Sequence, residues 1–219
     1  MQQKFKYLSV CLILICILSG CNNENSDHSK SEHVKETQQI KAAQKQLSDE
    51  KKSELKRKVL KIADGYGKEK GLAISNRFYS GSEHNAGDGY AMTQDGELQV
   101  SDYNKPGEKA FKVHNVVGIS TYHSSNNVKG YDKQAQDLTN LEGYKSVADR
   151  SKPISKYLFA DNGKVYTYQF THNEDTTLST GFAAKNYNGK DPNLKPNVMF
   201  TEVKENDLVK QWKKLLSKN

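Results

Sequence analysis

Apolar positions along this chain change their spacing three times, and each change marks an element. Residues 8–18, LSVCLILICIL, are apolar throughout apart from Ser9. The next stretch, residues 22–39, carries one aliphatic side chain, Val34. From Ile40 the apolar residues recur at helical intervals: Ile40, Ala43 and Leu47, then Leu55, Val59 and Ile62, with Lys51 interrupting the stripe. Ser48 followed by Asp49 and Glu50 has the form of a helix N-cap with acids in its first turn. Gly65 and Gly67 form the stop, so the pattern predicts a helix over 48–64.

From Leu72 to Val203 the spacing is that of strands. In YAMTQDGELQV the Asp95-Gly96 dipeptide predicts a two-residue turn that pairs Thr93 with Leu98 and Ala91 with Val100. In KYLFADNGKVYTYQF the Asn162-Gly163 dipeptide predicts another, pairing Phe159 with Tyr166 and Tyr157 with Tyr168 on one aromatic face. AFKVHNVVGISTYH reads as one long strand or two short ones around Gly118, and VMFTEV as a last strand. Residues 130–153 are polar with scattered Leu and Tyr and read as a loop or short helical insertion. The C-terminal ENDLVKQWKKLLSKN predicts a helix capped by Asn206 or Asp207, with Leu208, Trp212, Leu215 and Leu216 on one face and Trp212 as a core anchor.

Helix, hairpins, helix predicts an α+β fold: an antiparallel sheet of hairpins packed by the N-terminal and C-terminal helices. The layout resembles that of cystatin-like and NTF2-like folds. The predicted organisation is a targeting segment over 1–20, a flexible polar tether over 21–47 and a single extracytoplasmic domain over 48–219.

The targeting segment rests on length and charge. MQQKFKY supplies a basic start, and the eleven residues of 8–18 cover roughly half of a ~30 Å hydrocarbon core. That is the form of a secretory signal peptide. It ends in Leu18-Ser19-Gly20-Cys21, which resembles the lipobox of bacterial lipoprotein precursors. The resemblance implies a diacylglyceryl thioether on Cys21, cleavage between Gly20 and Cys21, and anchoring on the outer face of the cytoplasmic membrane. Two acyl chains hold where one is marginal, at about 0.8 kcal/mol per buried CH₂. Cys11 and Cys16 depart with the signal, so a lipidated Cys21 leaves no thiol for a disulfide, a Cys-ligated metal or thiol catalysis.

Composition narrows the partners. Apolar residues make up 35% of the chain and mean hydropathy is −0.85, which predicts a modest core. Of 33 basic residues, Arg57, Arg77 and Arg150 are the only arginines. Without Lys4 and Lys6 of the signal, 31 basic residues face 26 acids, a net charge of +5. A lysine-rich surface suits solubility or attraction to an anionic envelope better than base-specific nucleic-acid recognition, which favours the arginine fork. The Lys, Asn and Tyr bias resembles that of low-GC Gram-positive bacteria.

Catalytic motifs are scarce. Ser48-x-x-Lys51 and Ser53-x-x-Lys56 share a spacing with penicillin-binding enzymes, but neither Ser-Asp-Asn nor Lys-Thr-Gly accompanies them. There is no Gly-x-Ser-x-Gly, Walker loop, His-Glu-x-x-His or EF-hand loop. His28 and His33 belong to the polar tether. His114 and His123, nine apart, fall on opposite faces of an unbroken strand, which argues against shared metal ligation. His84 lies in GSEHNAGDG with Glu83 and Asp88, a surface turn, an acid/base pair or a weak metal site. Twelve tyrosines, with Asn, Ser and Gly around 121–132 and 187–197, have the composition of adaptable binding loops as well as of ordinary strands.

The expectation is therefore a non-catalytic binding or accessory module with no cofactor or metal. Its partners would be the membrane through the lipid and an envelope protein or cell-wall polymer. The alternatives are an extracytoplasmic enzyme or enzyme inhibitor, or a component of a conjugation or transport system. Solute-binding lipoproteins are usually larger and alternate strands with helices.

Overall fold

A computed structural model describes residues 47–81, 87–171, 175–185 and 195–218. Among these residues there are two α-helices, α1 (Asp49–Lys70) and α2 (Asp207–Leu216). Nine strands accompany them: β1 (Ala73–Ser75), β2 (Asp88–Thr93), β3 (Gly96–Ser101), β4 (Val113–Tyr122), β5 (Gly130–Tyr131), β6 (Ile154–Ala160), β7 (Val165–Phe170), β8 (Ala183–Lys185) and β9 (Met199–Glu202).

The architecture is a closed β-barrel, which corrects the expected α+β sheet of hairpins flanked by helices. Six strands follow one another in the order β3-β2-β9-β7-β6-β4, and β4 pairs back onto β3. Two of these contacts are parallel: β2 with β9, and β3 with β4 through Leu98↔Val113 and Gln99↔His114. A hairpin reading pairs only strands that are neighbours in sequence, so it misses both parallel contacts and hence the closure. Outside the ring, β1 and β5 extend the far end of β4, and β8 pairs with the first half of β2.

Both hairpins form, in registers other than those expected. In the first, Thr93 pairs with Gly96 and Ala91 with Leu98, so the loop is Gln94-Asp95. The Thr93 hydroxyl decides this: it accepts from the Asp95 N–H and donates to the Gly96 carbonyl, and Gly96 takes a φ of 105°. In the second, Asp161, Asn162 and Gly163 make a three-residue loop, closed by the Ala160 N–H on the Lys164 carbonyl. Leu158 therefore faces Tyr166, and Tyr157 faces Thr167. A one-residue slip moves every side chain to the other face. The expected aromatic face is divided: Phe159 belongs to the helix-side core with Val165, and Tyr166 to the barrel-side core with Leu158.

α1 starts as expected, with the Ser48 hydroxyl accepting from the Lys51 N–H, and Ser48-x-x-Lys51 is that cap. The helix runs past Gly65 and Gly67 and ends at Gly71, at a φ of 69°. Gly67 lies buried inside it, where a Cβ would come within 2.6 Å of Ile74, so the glycine serves close packing and does not end the helix. Leu55, Val59 and Ala63 pack with Val117 and Ile119 of β4, Phe159 of β6 and Leu208, Val209 and Trp212 of α2. Trp212 is buried, and its indole N–H donates to the Ala160 carbonyl at 3.0 Å. Residues 130–153 pack in a small core with Ala73, Tyr122, Ile154 and Leu178, where Tyr144 donates to the Arg77 carbonyl and Tyr122 to Asp132.

The barrel is filled. Ala91, Leu98, Leu158, Phe182 and Phe200 pack together, and Phe78 lies against Gly118, where a Cβ would meet its ring at 2.2 Å. Among them is a fully buried lysine. Lys156 Nζ donates to the carbonyls of Thr177, Leu178 and Thr180 at 2.9, 2.8 and 2.7 Å. It also stands over the rings of Phe170 and Phe182. Burial pushes the lysine well below its ordinary pKa. Three acceptors match the three protons of an ammonium, whereas a neutral amine would turn its lone pair on one of them, so the geometry favours the charged form.

Lys156→Met should destabilise the protein by at least about 3 kcal/mol, because three carbonyls lose their donor in a dry interior. Urea unfolding followed by fluorescence of Trp212, the single tryptophan, measures this. An unchanged midpoint would show that water reaches those carbonyls.

Candidate functional site

A cleft of about 420 Å³ opens where the start of α1, the β3–β4 crossover and the β6–β7 turn meet. It begins with a carboxylate on the far side of the crossover. Asp88 is fully buried at the start of β2 and accepts from the N–H groups of Tyr103, Lys105 and Gly107, at 2.7, 3.0 and 2.6 Å. Gln99 Nε2 adds a fourth hydrogen bond at 3.2 Å. These bonds shape residues 102–107 and deliver the chain into a single turn of 3₁₀ helix, Glu108–Ala110.

The turn presents Glu108, Lys109, Phe111 and Lys112 to one wall. β4 supplies the floor with His114, Asn115 and Val116. The β4–β6 register shifts between Asn115 and Val117, a bulge at Val116. The Asn115 side-chain oxygen there is buried with no hydrogen-bond partner. From α1, Lys52 reaches the cleft beside Leu47.

His114 joins the walls. Its Nδ1 lies 2.7 Å from Asp161 Oδ2 and its Nε2 lies 3.0 Å from the Glu108 carbonyl. The other Asp161 oxygen accepts from the His114 backbone N–H, and the Asp161 N–H donates to the His114 carbonyl. The Asp161 carboxylate raises the imidazole pKa, burial opposes it, and the Glu108 carbonyl adds to the rise. Both ring nitrogens face acceptors, which only the imidazolium satisfies with two donors. In that form His114 has no lone pair for a metal or a proton, and it holds the 3₁₀ turn to the β6–β7 loop as a cation.

Of the residues singled out for chemistry in the sequence, His114 lines the cleft, paired with Asp161 and not with His123. Cys21, His28, His33, Glu83 and His84 lie outside the described residues. Asp88, expected to share a surface turn with His84, is the buried anchor of the crossover. His123 follows the end of β4 and is exposed. The His114–Asp161 pair joins residues 47 apart, and no spacing in the sequence connects them. Among the described residues, no group of three or more His, Cys, Asp or Glu is placed to hold a metal ion. No helix among them is long and apolar enough to cross a membrane.

Protein-family models, curated proteins and solved structures yield no match to this chain.

Two outcomes test the site's construction. Asp88→Asn should cost at least about 2 kcal/mol, because a carboxylate accepting several N–H bonds becomes an amide that can oppose them with its own donors. Unchanged stability in urea would remove Asp88 from this role. His114→Gln should destabilise by about 1–3 kcal/mol at pH 5.5, where the imidazolium is present in both folded and unfolded chains. A raised folded pKa makes this contribution complete below the unfolded value near 6.5, and it is lost as pH rises through the folded value. The gap between wild type and variant should therefore narrow from pH 5.5 towards pH 9; a constant gap would contradict the ion pair.

Proposed function

We propose that this chain is a lipid-anchored binding module on the outer face of the cytoplasmic membrane, and that the cleft around His114 is its ligand site. The observation that carries the reading is Leu18-Ser19-Gly20-Cys21 at the end of a short apolar run with a basic start. The thiol is the one strong nucleophile at that point, and small residues at 19 and 20 admit a peptidase to the backbone. The polar residues 22–39 then separate the lipid from the first helix.

The cleft's chemistry supports binding over catalysis. Its histidine is committed at both nitrogens, and its aspartate at both oxygens. Its remaining polar groups are lysines, the Glu108 carboxylate and a carboxamide, none of them next to a hydroxyl or thiol among the lining residues. Such a set can attract and orient a ligand, and it lacks the nucleophile–base contact that covalent catalysis uses.

Growth with labelled fatty acid tests the anchor. Wild-type protein should incorporate label and stay with membranes, and Cys21→Ala should incorporate none and accumulate as unprocessed or released chain. Label that persists in Cys21→Ala would overturn the anchor.

A further inference from the structure

We propose that the His114 cleft binds the phosphate ester of a polyol, with lysines on the phosphate and the cleft's acceptors on the hydroxyls. The proposal deepens the binding-module reading and rests on it. Lys52, Lys109 and Lys112 all line the cleft, and none takes part in an ion pair among the described residues. Elsewhere, lysines do find acids: Lys51 and Lys58 on Glu54, Lys68 on Asp64, Lys164 on Asp95 and Glu202. With the imidazolium of His114, four cations face two carboxylates, and one of those, Asp161, is held by His114 itself. The remainder suits a ligand carrying one or two negative charges. Lysine serves phosphate as a mobile point charge and needs no planar fork.

The same cleft holds acceptors that an inorganic anion would leave unused. Asn115 lines the cleft with its Oδ1 buried and unpaired, and such a group costs free energy, so turning the amide towards a ligand hydroxyl would supply the donor it lacks. The Glu108 side chain has no ion-pair partner among the described residues, and its backbone carbonyl is occupied by His114. Both accept hydroxyl protons. Phe111 and Val116 give an apolar wall for the C–H face of a polyol. A volume of about 420 Å³ falls within the range of small-ligand sites. Cations for a phosphate, the Asn115 and Glu108 oxygens for hydroxyls and an apolar wall together define the ligand class.

Polyol phosphates occur as anionic lipid headgroups and as free or polymeric esters, and one titration separates these sources. The full-length lipidated protein, held in a neutral detergent, is titrated calorimetrically with glycerol 3-phosphate, glycerol and inorganic phosphate. Glycerol 3-phosphate should bind saturably and more weakly as salt rises, with glycerol and phosphate each weaker by about tenfold or more. The variant K52Q/K109Q/K112Q, altered at two exposed lysines and the half-buried Lys52, should lose about tenfold or more in affinity with its unfolding midpoint unchanged.

Water-soluble dihexanoyl phosphatidylglycerol binding well above its deacylated headgroup assigns the lipid source; equal binding assigns the free or polymeric ester. Absence of glycerol 3-phosphate binding, binding indifferent to the three lysines, or glucuronate binding equally well would each overturn the proposal. Fatty-acid labelling is read on the same preparation. Protein that labels without binding overturns this inference alone, and protein that binds without labelling overturns the anchor alone.

Discussion

The Asp88 carboxylate holds the β3–β4 crossover, and the rest of the molecule is arranged around what that crossover does. A parallel connection cannot be made by a tight turn. Here it takes residues 102–112, whose backbone N–H groups need acceptors outside the strand ladder. Asp88 receives three of them. The crossover can then bring Val113 and His114 alongside Leu98 and Gln99, which closes the barrel. The same path sets the Glu108 carbonyl over His114 and places Lys109, Phe111 and Lys112 on the rim of the cleft. Closure of the fold and construction of the site are one event in this chain.

Closing the sheet creates an inside and an outside, and β6 serves both. Leu158 and Ala160 belong to the core within the ring, while Phe159 belongs to the layer shared with α1 and α2. Six of its seven residues are buried, which is why its sequence, ISKYLFA, shows no clean alternation of polar and apolar positions. Lys156 lies on the inner side and is the exception that the barrel accommodates. Its ammonium ties residues 177–180 across the interior and satisfies carbonyls that would otherwise face rings. A lysine in a strand ordinarily signals a solvent face; here it marks the position where an irregular segment is fastened.

The cleft lies beside Leu47, where the described chain begins and the polar stretch leads back towards Cys21. A lipid at Cys21 would hold a domain with a lysine-lined cleft close to an anionic surface. Electrostatic attraction then raises the local concentration of phosphate-bearing groups before any specific contact forms. His114 couples this surface to the fold, since its charge both fastens the walls and contributes to the field within them.

Local rules decided a definite part of this protein. Helical spacing and the cap at Ser48 located the first helix, the stripe through Leu208 and Trp212 located the last, and Asp-Gly and Asn-Gly marked both hairpins. These features depend on residues within a few positions of one another, so the sequence carries them directly. Their details depended on contacts at longer range. Gly67 answers the close approach of Ile74 and does not stop the helix, and the hairpin registers followed side-chain bonds at Thr93 and Asn162 together with the burial of both faces of β6. The barrel, with Met92 paired to Met199, the role of Asp88, the buried Lys156 and the His114–Asp161 pair arise from residues 11 to 107 positions apart. No periodicity encodes such pairs; only the path of the folded chain brings them together. The modification proposed at Cys21 would be the converse case, since it depends on the residues immediately beside that cysteine and on no distant contact.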